Sequence, residues 1–471
     1  MPAMSANLVA VILAAGKGTR MRSGLAKVLH PLEGQPLLGY VLDAVEALGA
    51  SPTLVVVGHQ AEAVEAACTG RQLEFVRQQP PLGTGHALVS ARSRFADRQG
   101  TLLVANGDLP LLRAETLREL LAAHRRTGAA ATILSVELAE PGDYGRIVRD
   151  AEGAVLRIVE ARDASPAERD LREINVGVYA LEIGSLLPAL ERLRPQNAQA
   201  EYYLTDCVAL LREAGCNVGA WRAPDPTEAL GVNTLGELAE VRRLLRSRRL
   251  AALLDAGVTI EDPATTHVGP DVELEPDATL RPFTLLEGRC RIRSGAVVGP
   301  FVRLVDVDVG PGAQIIDHCL LRECVVEEGA TIGPFAHIRP ETTVGRRAKV
   351  GNFVELKKTT LAEGSKAPHL SYLGDATIGP GVNVGAGTIT CNYDGVLKHP
   401  TTIGAGAFVG SNSTLVAPVT VGEGSYIAAG SVVTRDVPAD ALALGRARQL
   451  LKDGWARRRR EALKEQRKDK P

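Results

Sequence analysis

At 471 residues the chain is longer than one hydrophobic core supports, so two or more domains are expected, each able to bury its own core. A formal net charge of -1 excludes a global field that would draw it to nucleic acid or to an acidic membrane, so any anionic partner must meet local cations. Seven scattered cysteines without a CxxC pair exclude a disulfide framework and a zinc site, and read as reduced, buried thiols of a cytoplasmic protein.

The first apolar run, "LVAVILAAG", is too short to span a bilayer, so no membrane insertion is expected. It leads into "ILAAGKGTRM" (Ile12–Met21), a glycine-rich loop that never completes GxxxxGK[ST]. The dinucleotide fingerprint GxGxxG fails too, because Met21 stands where its last glycine would be. From Leu8 to about Asn233, β-branched runs such as "TLVVVG", "LEFVRQ", "TLLVANGD" and "AATILSVEL" alternate with helical patterns. That rhythm predicts an α/β domain, residues 1–234, with a Rossmann-like, mostly parallel sheet. Ligands on such sheets bind at the carboxyl ends of the strands, where the loop at Gly16 falls. Asp108 in "NGDLPL" also follows a strand end; a carboxylate there suits magnesium, or caps a short turn.

Residues 235–256 place leucines at helical spacing among many arginines, with Gly257 as the stop; this is a linker helix with a solvated or membrane-seeking basic face. Beyond it the pattern changes. Apolar residues recur every sixth position at Ile332, Ile338, Val344, Val350 and Leu356, and again from Ile403 to Val433. This hexapeptide repeat predicts a parallel β-helix over residues 257–445, three hexads to a triangular coil with the aliphatics stacked inside. The repeat loses register between Leu356 and Ile378 and between Val384 and Ile403, which predicts two extruded loops. Residues 446–471 form a basic tail, either solvated or frayed, or else covering a neighbouring site.

Arg339 and Lys357 lie eighteen residues apart, one coil, and should stack at one corner about 4.8 Å apart. Two cations that close clamp an anion or are screened by water. His369 falls in the first predicted loop near Tyr372, with Asn392 and Tyr393 in the second. Beside an anion clamp, a neutral imidazole could take a proton from an amine attacking a thioester.

These residues sit in the motifs "LAAGKGTRM", "KVLHPL", "QQPPLGTGHA", "NGDLPLL", "DYGRIVR", "EINVGVYA", "EALGVNT", "VGNFVELKK", "APHLSYLGD" and "GAGTITCNYDG". In that order, nearly end to end, the chain resembles the bacterial bifunctional N-acetylglucosamine-1-phosphate uridyltransferase / glucosamine-1-phosphate N-acetyltransferase family. The resemblance implies that the β-helix is left-handed and that Leu13, Ala14, Ala15 and Gly16 grip the nucleotide of UTP. Arg20 and Lys27 would offset phosphate charge, and Gln78, Gly83 and Thr84 would read uracil and ribose. Asn106 and Gly107 complete the nucleotide side, although Asn106 stands where some members carry an aromatic. Gly145, Glu160 and Asn175 would hold the sugar, and Asp108 and Asn233 would hold Mg2+.

For the β-helix the resemblance implies His369 as the general base, and sugar-phosphate contacts from Arg339, Lys357, Tyr372 and Asn383. Asn392 and Tyr393 would line the same site, and Ala386, Ser411, Ala429 and Arg446 would contact acetyl-CoA. It further implies a homotrimer. The expected activity is acetylation of glucosamine 1-phosphate, then uridylyl transfer giving UDP-N-acetylglucosamine, a precursor of bacterial envelope sugars. Two alternatives are a pyrophosphorylase whose β-helix only regulates, and a sugar-nucleotide-binding protein whose β-helix is a scaffold. The clamp and base count against the first, and Lys27, Asp108 and Asn233 against the second.

Overall fold

A computed structural model describes residues 7–468, so the last three residues of the basic tail lie outside it. The chain forms two compact units, divided after Ser247. The division falls inside the predicted linker helix, observed as Leu235–Asp255, rather than at either end. The reason is packing: Leu238 and Val241 join a cluster with Met21, Leu32 and Leu37, whereas Leu250 joins the core of the second unit. The arginines of this helix are not simply solvated. Arg246 donates to Glu33 at 3.0 Å and Arg242 to the Pro31 carbonyl at 3.1 Å.

In the first unit, the strands run across the sheet in the order Val218–Arg222, Ala131–Glu137, Glu173–Glu182, Thr101–Asn106, Leu8–Ala14, Thr53–Val57, Glu74–Arg77. Glu173–Glu182 runs antiparallel to both neighbours; the other pairings along this path are parallel. Leu8, Ala10 and Ile12 pack on one face, and Val9 and Val11 on the other. Burial on both faces explains why the strand reads as a continuous apolar run. After Leu8–Ala14 the chain lays Thr53–Val57 and Glu74–Arg77 on one side, then returns to lay Thr101–Asn106 on the other. This reversal opens a crevice beyond Leu13 and Asn106, which are register partners.

The second unit is a triangular parallel β-helix. One inward column runs Leu280, Val298, Ile315, Ile332, Val350, Ala367, Val384, Val409, Ile427, each at most 1% exposed. At one corner each coil turns through a residue of positive φ: Phe283, Phe301, His318, Phe335 and Phe353. Their rings stack with centroids 4.7, 4.8, 4.8 and 5.3 Å apart, which offsets part of the strain of a left-handed backbone.

The segment between Leu356 and Ile378 corrects one expectation. It is not extruded: Lys366–His369 and Tyr372–Gly374 stay in the ladder, pairing with Lys349–Asn352 and Glu355–Lys357. These coils take seventeen residues instead of eighteen, since Lys349 pairs with Lys366. The inward slot is filled by the small Ala367, so a search for large aliphatics every sixth position misses the coil. The second loop is real. Thr390 fills an inward slot with its hydroxyl bonded to Gly374, and the chain re-enters the ladder only at Thr401–Ile403. All seven cysteines are free, five of them buried. Part of the basic tail forms a helix, Trp455–Lys468.

Candidate active sites

The crevice of the first unit is a cavity of about 680 Å³. Its floor is Leu13, Ala14, Ala15 and Gly16. Gln78, Gly83, Thr84 and Asn106 form one part of the wall, and Gly145, Glu160 and Asn175 another. Lys27, Asp108 and Asn233 complete it. Gly107 lies outside the lining and ties the loop down, its N–H donating to the Leu13 carbonyl at 2.9 Å. Arg20 also lies outside, exposed on the Thr19–Met21 turn, 3.9 Å from the cavity-lining Asp143.

The glycine-rich loop is shaped to admit Lys27. Gly18 has φ +62°, and a Cβ there would lie 2.5 Å from Cβ of Lys27. Gln60 fixes the chain just before the lysine: Oε1 accepts from Ala26 N–H and Nε2 donates to the Gly24 carbonyl, both at 2.7 Å. Sequence reading missed Gln60 because it is remote from the loop and in no motif. The Lys27 ammonium then pairs with the Asp108 carboxylate and donates to Asn233 Oδ1 at 3.1 Å.

Asn233 is held by its own motif. Glu228, fully buried in "EALGVNT", accepts from Thr116 and the Arg113 guanidinium at 2.8 Å, and from Arg113 N–H at 2.9 Å. Val232 N–H donates to the Asp108 carbonyl at 3.0 Å. Thr234 and Glu237 close a capping box at the start of the following helix, Glu237 also accepting from Asn233 N–H. Asp108 and Asn233 each turn one oxygen atom toward the Lys27 ammonium. That set fits Mg2+, which takes oxygen ligands and completes its shell with water and phosphate. Among the described residues no group of three or more His, Cys, Asp or Glu forms an all-protein cage.

On the sugar side, burial raises the Glu160 carboxyl above the usual carboxylate range, opposed by a 3.1 Å bond from Thr205. Asn175 is held at both ends: Nδ2 donates to Tyr179 Oη at 2.7 Å, and Oδ1 accepts from Gly177 N–H at 3.1 Å. Tyr179 and Thr205 were not singled out from the sequence, where nothing marks a pocket tyrosine from a core one.

In the β-helix, Arg339 and Lys357 do stack one coil apart, at the ends of paired strands. Carboxylates interleave with them: Arg339 donates to Glu355 at 2.8 Å, and Lys357 lies 3.5 Å from Asp375. Lys398 joins them from the second loop, and Arg339, Lys357, Asp375 and Lys398 line an open cavity of about 300 Å³. Contact with Lys357, and its charge, lower the pKa of the Lys398 amine. The loop is a small hairpin bridged between Tyr393 and Lys398, with Asp394 accepting from His399 at 2.7 Å. Asn392, at its base, donates to Asp375 and, at 3.5 Å, to Tyr372 Oη. Tyr393 itself is exposed, donating to the Gly395 carbonyl.

His369 ends a strand, its Nδ1 2.6 Å from Oδ1 of its register partner Asn352. An amide oxygen only accepts, so Nδ1 carries a proton, and in the neutral ring the lone pair is then on Nε2. Asn352 was overlooked, although it stands one coil before His369. Asn383 lies on the other ladder, between Lys366 and Phe408, apart from Lys357 and Tyr372. Ala386, Ser411 and Ala429 follow one per coil along one corner. Asn412 N–H donates to the Ala386 carbonyl, Gly430 N–H to the Ser411 carbonyl, and Arg446 to the Ala429 carbonyl at 2.9 Å.

The fold and these sites define a nucleotidyltransferase joined to a hexapeptide-repeat transferase. A MobA-like NTP transferase domain matches residues 10–217, and the bacterial transferase hexapeptide (six repeats) matches 323–358 and 400–435. The bifunctional protein GlmU of Anaeromyxobacter sp. is 50% identical over 97% of this chain and 94% of its own length. That of Pelotomaculum thermopropionicum is 49% identical over 97% and 99%, and that of Brevibacillus brevis 46% over 95% and 96%. The chain belongs to the GlmU family, and its second unit is the left-handed parallel β-helix of that family.

Proposed function

We infer that the chain catalyses two successive transfers: acetyl from acetyl-CoA to glucosamine 1-phosphate, then uridylyl from UTP to N-acetylglucosamine 1-phosphate with release of pyrophosphate. The observation that carries this reading is the presence of two separate constellations. One is Lys27 with Asp108 and Asn233, and the other is His369 oriented by Asn352 on the same unit as the Arg339–Lys357–Lys398 cluster.

In uridylyl transfer the sugar-phosphate oxygen attacks the α-phosphorus of UTP and the bond to pyrophosphate breaks. Lys27 offsets the charge that grows on the leaving group, with Arg20 approaching from the exposed turn. Asp108 and Asn233 would hold Mg2+, which neutralises phosphate charge when bound. Gly145, Glu160 and Asn175 orient the sugar. In acetyl transfer, the Arg339, Lys357 and Lys398 cations take the phosphate. His369 Nε2 accepts the proton of the amine as its nitrogen attacks the thioester carbonyl, and coenzyme A leaves as thiolate.

The column of Ala386, Ser411 and Ala429 and the nearby Arg446 suit acetyl-CoA. Asn383, apart from the clamp on its own chain, suits a site assembled between protomers of a homotrimer, which the exposed helix Trp455–Lys468 would help cover. No helix among the described residues is long and apolar enough to cross a membrane, in keeping with a cytoplasmic enzyme supplying envelope precursors. The test is a crossed pair. Asp108→Ala abolishes pyrophosphate release and spares acetyl-CoA consumption, and His369→Ala does the reverse. Loss of both activities in either folded variant refutes separate sites.

A further inference from the structure

Gln78, 5% exposed, borders the nucleotide cavity, and on the reading above it faces the base of UTP. Its amide nitrogen has two protein neighbours, the Gly83 carbonyl oxygen at 2.9 Å and His86 Nδ1 at 3.1 Å. A carbonyl oxygen only accepts, so the atom turned toward Gly83 is Nε2 and not Oε1. With one amide hydrogen on Gly83 and the other directed at His86, Nδ1 has to be an acceptor, which puts the imidazole proton on Nε2. Both donors of Gln78 are then used, and Oε1 is the atom left for a ligand.

We propose that His86 is a positioning residue for base selection: it locks the Gln78 amide so that Oε1 faces the nucleotide pocket and favours a pyrimidine carrying N3–H over one with a bare N3. Uracil has that hydrogen, whereas N3 of cytosine has a lone pair that repels the same oxygen. The Gly83 bond alone sets which end of the amide points inward, but an amide torsion is broad, and a second bond fixes its plane. The ring that supplies it sits on a rigid support. The helix Thr84–Ala91 packs against the sheet through Ala87, Leu88 and Ala91, and the His86 ring lies 6.1 Å from Tyr202.

The experiment compares kcat/KM for UTP and for CTP, with N-acetylglucosamine 1-phosphate and Mg2+, in full-length His86→Phe, His86→Asn and Gln78→Ala. His86→Phe, lacking an acceptor, raises KM for UTP about tenfold with kcat within about twofold, and narrows the UTP-over-CTP preference about tenfold. His86→Asn, whose Oδ1 takes the place of Nδ1, restores most of the preference. A preference unchanged in His86→Phe but narrowed in Gln78→Ala overturns the role of His86. So does an equal loss of kcat for both nucleotides that His86→Asn fails to rescue, the mark of a merely structural histidine. A preference unchanged in Gln78→Ala overturns instead the reading that Gln78 meets the base.

Discussion

In the first unit Lys27, Asp108 and Asn233 come from segments up to 206 positions apart and meet in a cavity of about 680 Å³. In the β-helix Arg339 and Lys357 are successive copies of one repeat position, on an open corner of about 300 Å³. The first site is assembled by long-range packing, so displacing one supporting residue should move the reactive group itself. The second is laid along a rigid ladder, so single changes should subtract one contact and leave the rest in place.

The largest effect tests the packed site. Lys27→Ala should lower kcat for uridylyl transfer by about a thousandfold, since on the proposed mechanism it removes the cation that offsets the leaving group's charge. Gly18→Ala should cost about a hundredfold with Lys27 still present, because the new methyl group displaces it. Acetyl-CoA consumption should stay at the parent rate in both. Equal rates of pyrophosphate release in Gly18→Ala and parent would show that the loop does not set the lysine's position.

The next effect falls on the ladder. Asn352→Leu removes the acceptor that holds the His369 proton on Nδ1, and should lower kcat for acetyl transfer by about 10- to 100-fold. Asn352→Asp should retain most of it, since a carboxylate still accepts from Nδ1. Lys398→Ala should leave kcat unchanged and raise KM for glucosamine 1-phosphate about tenfold, because the loop lysine adds one charge-assisted contact to two that remain. A fall in kcat with KM unchanged would move Lys398 from binding to the chemical step.

What could be read from the sequence follows the same contrast. The inward columns and the Arg339–Lys357 stack were legible because a repeat turns spacing directly into position. The residues between Leu356 and Ile378 misled for the same reason: dropping one residue from a turn, and putting alanine in an aliphatic slot, hides a coil that remains intact. In the first unit the loop, the strand ends and Asp108 were visible in local motifs. Gln60 was not, because it reaches the loop by hydrogen bonds across 34 and 36 positions; Tyr179 and His86 sit inside quoted motifs, but which neighbour each bonds is set only by the folded geometry.

The smallest effect probes the corner of the β-helix, where side-chain stacking opposes backbone strain. Phe301→Ala removes two ring contacts and keeps a positive φ, so it should destabilise this unit by about 1–2 kcal/mol. Phe301→Gly loses the same contacts but relieves about 1–2 kcal/mol of left-handed strain, against about 0.5–1 kcal/mol of added chain entropy. The glycine variant should therefore be the more stable of the two by up to about 1.5 kcal/mol, the difference between those terms. Urea titration followed by acetyl transfer reads this order in the full chain. Alanine surviving better than glycine would mean that the corner is unstrained, and that the aromatic column is there for its rings alone.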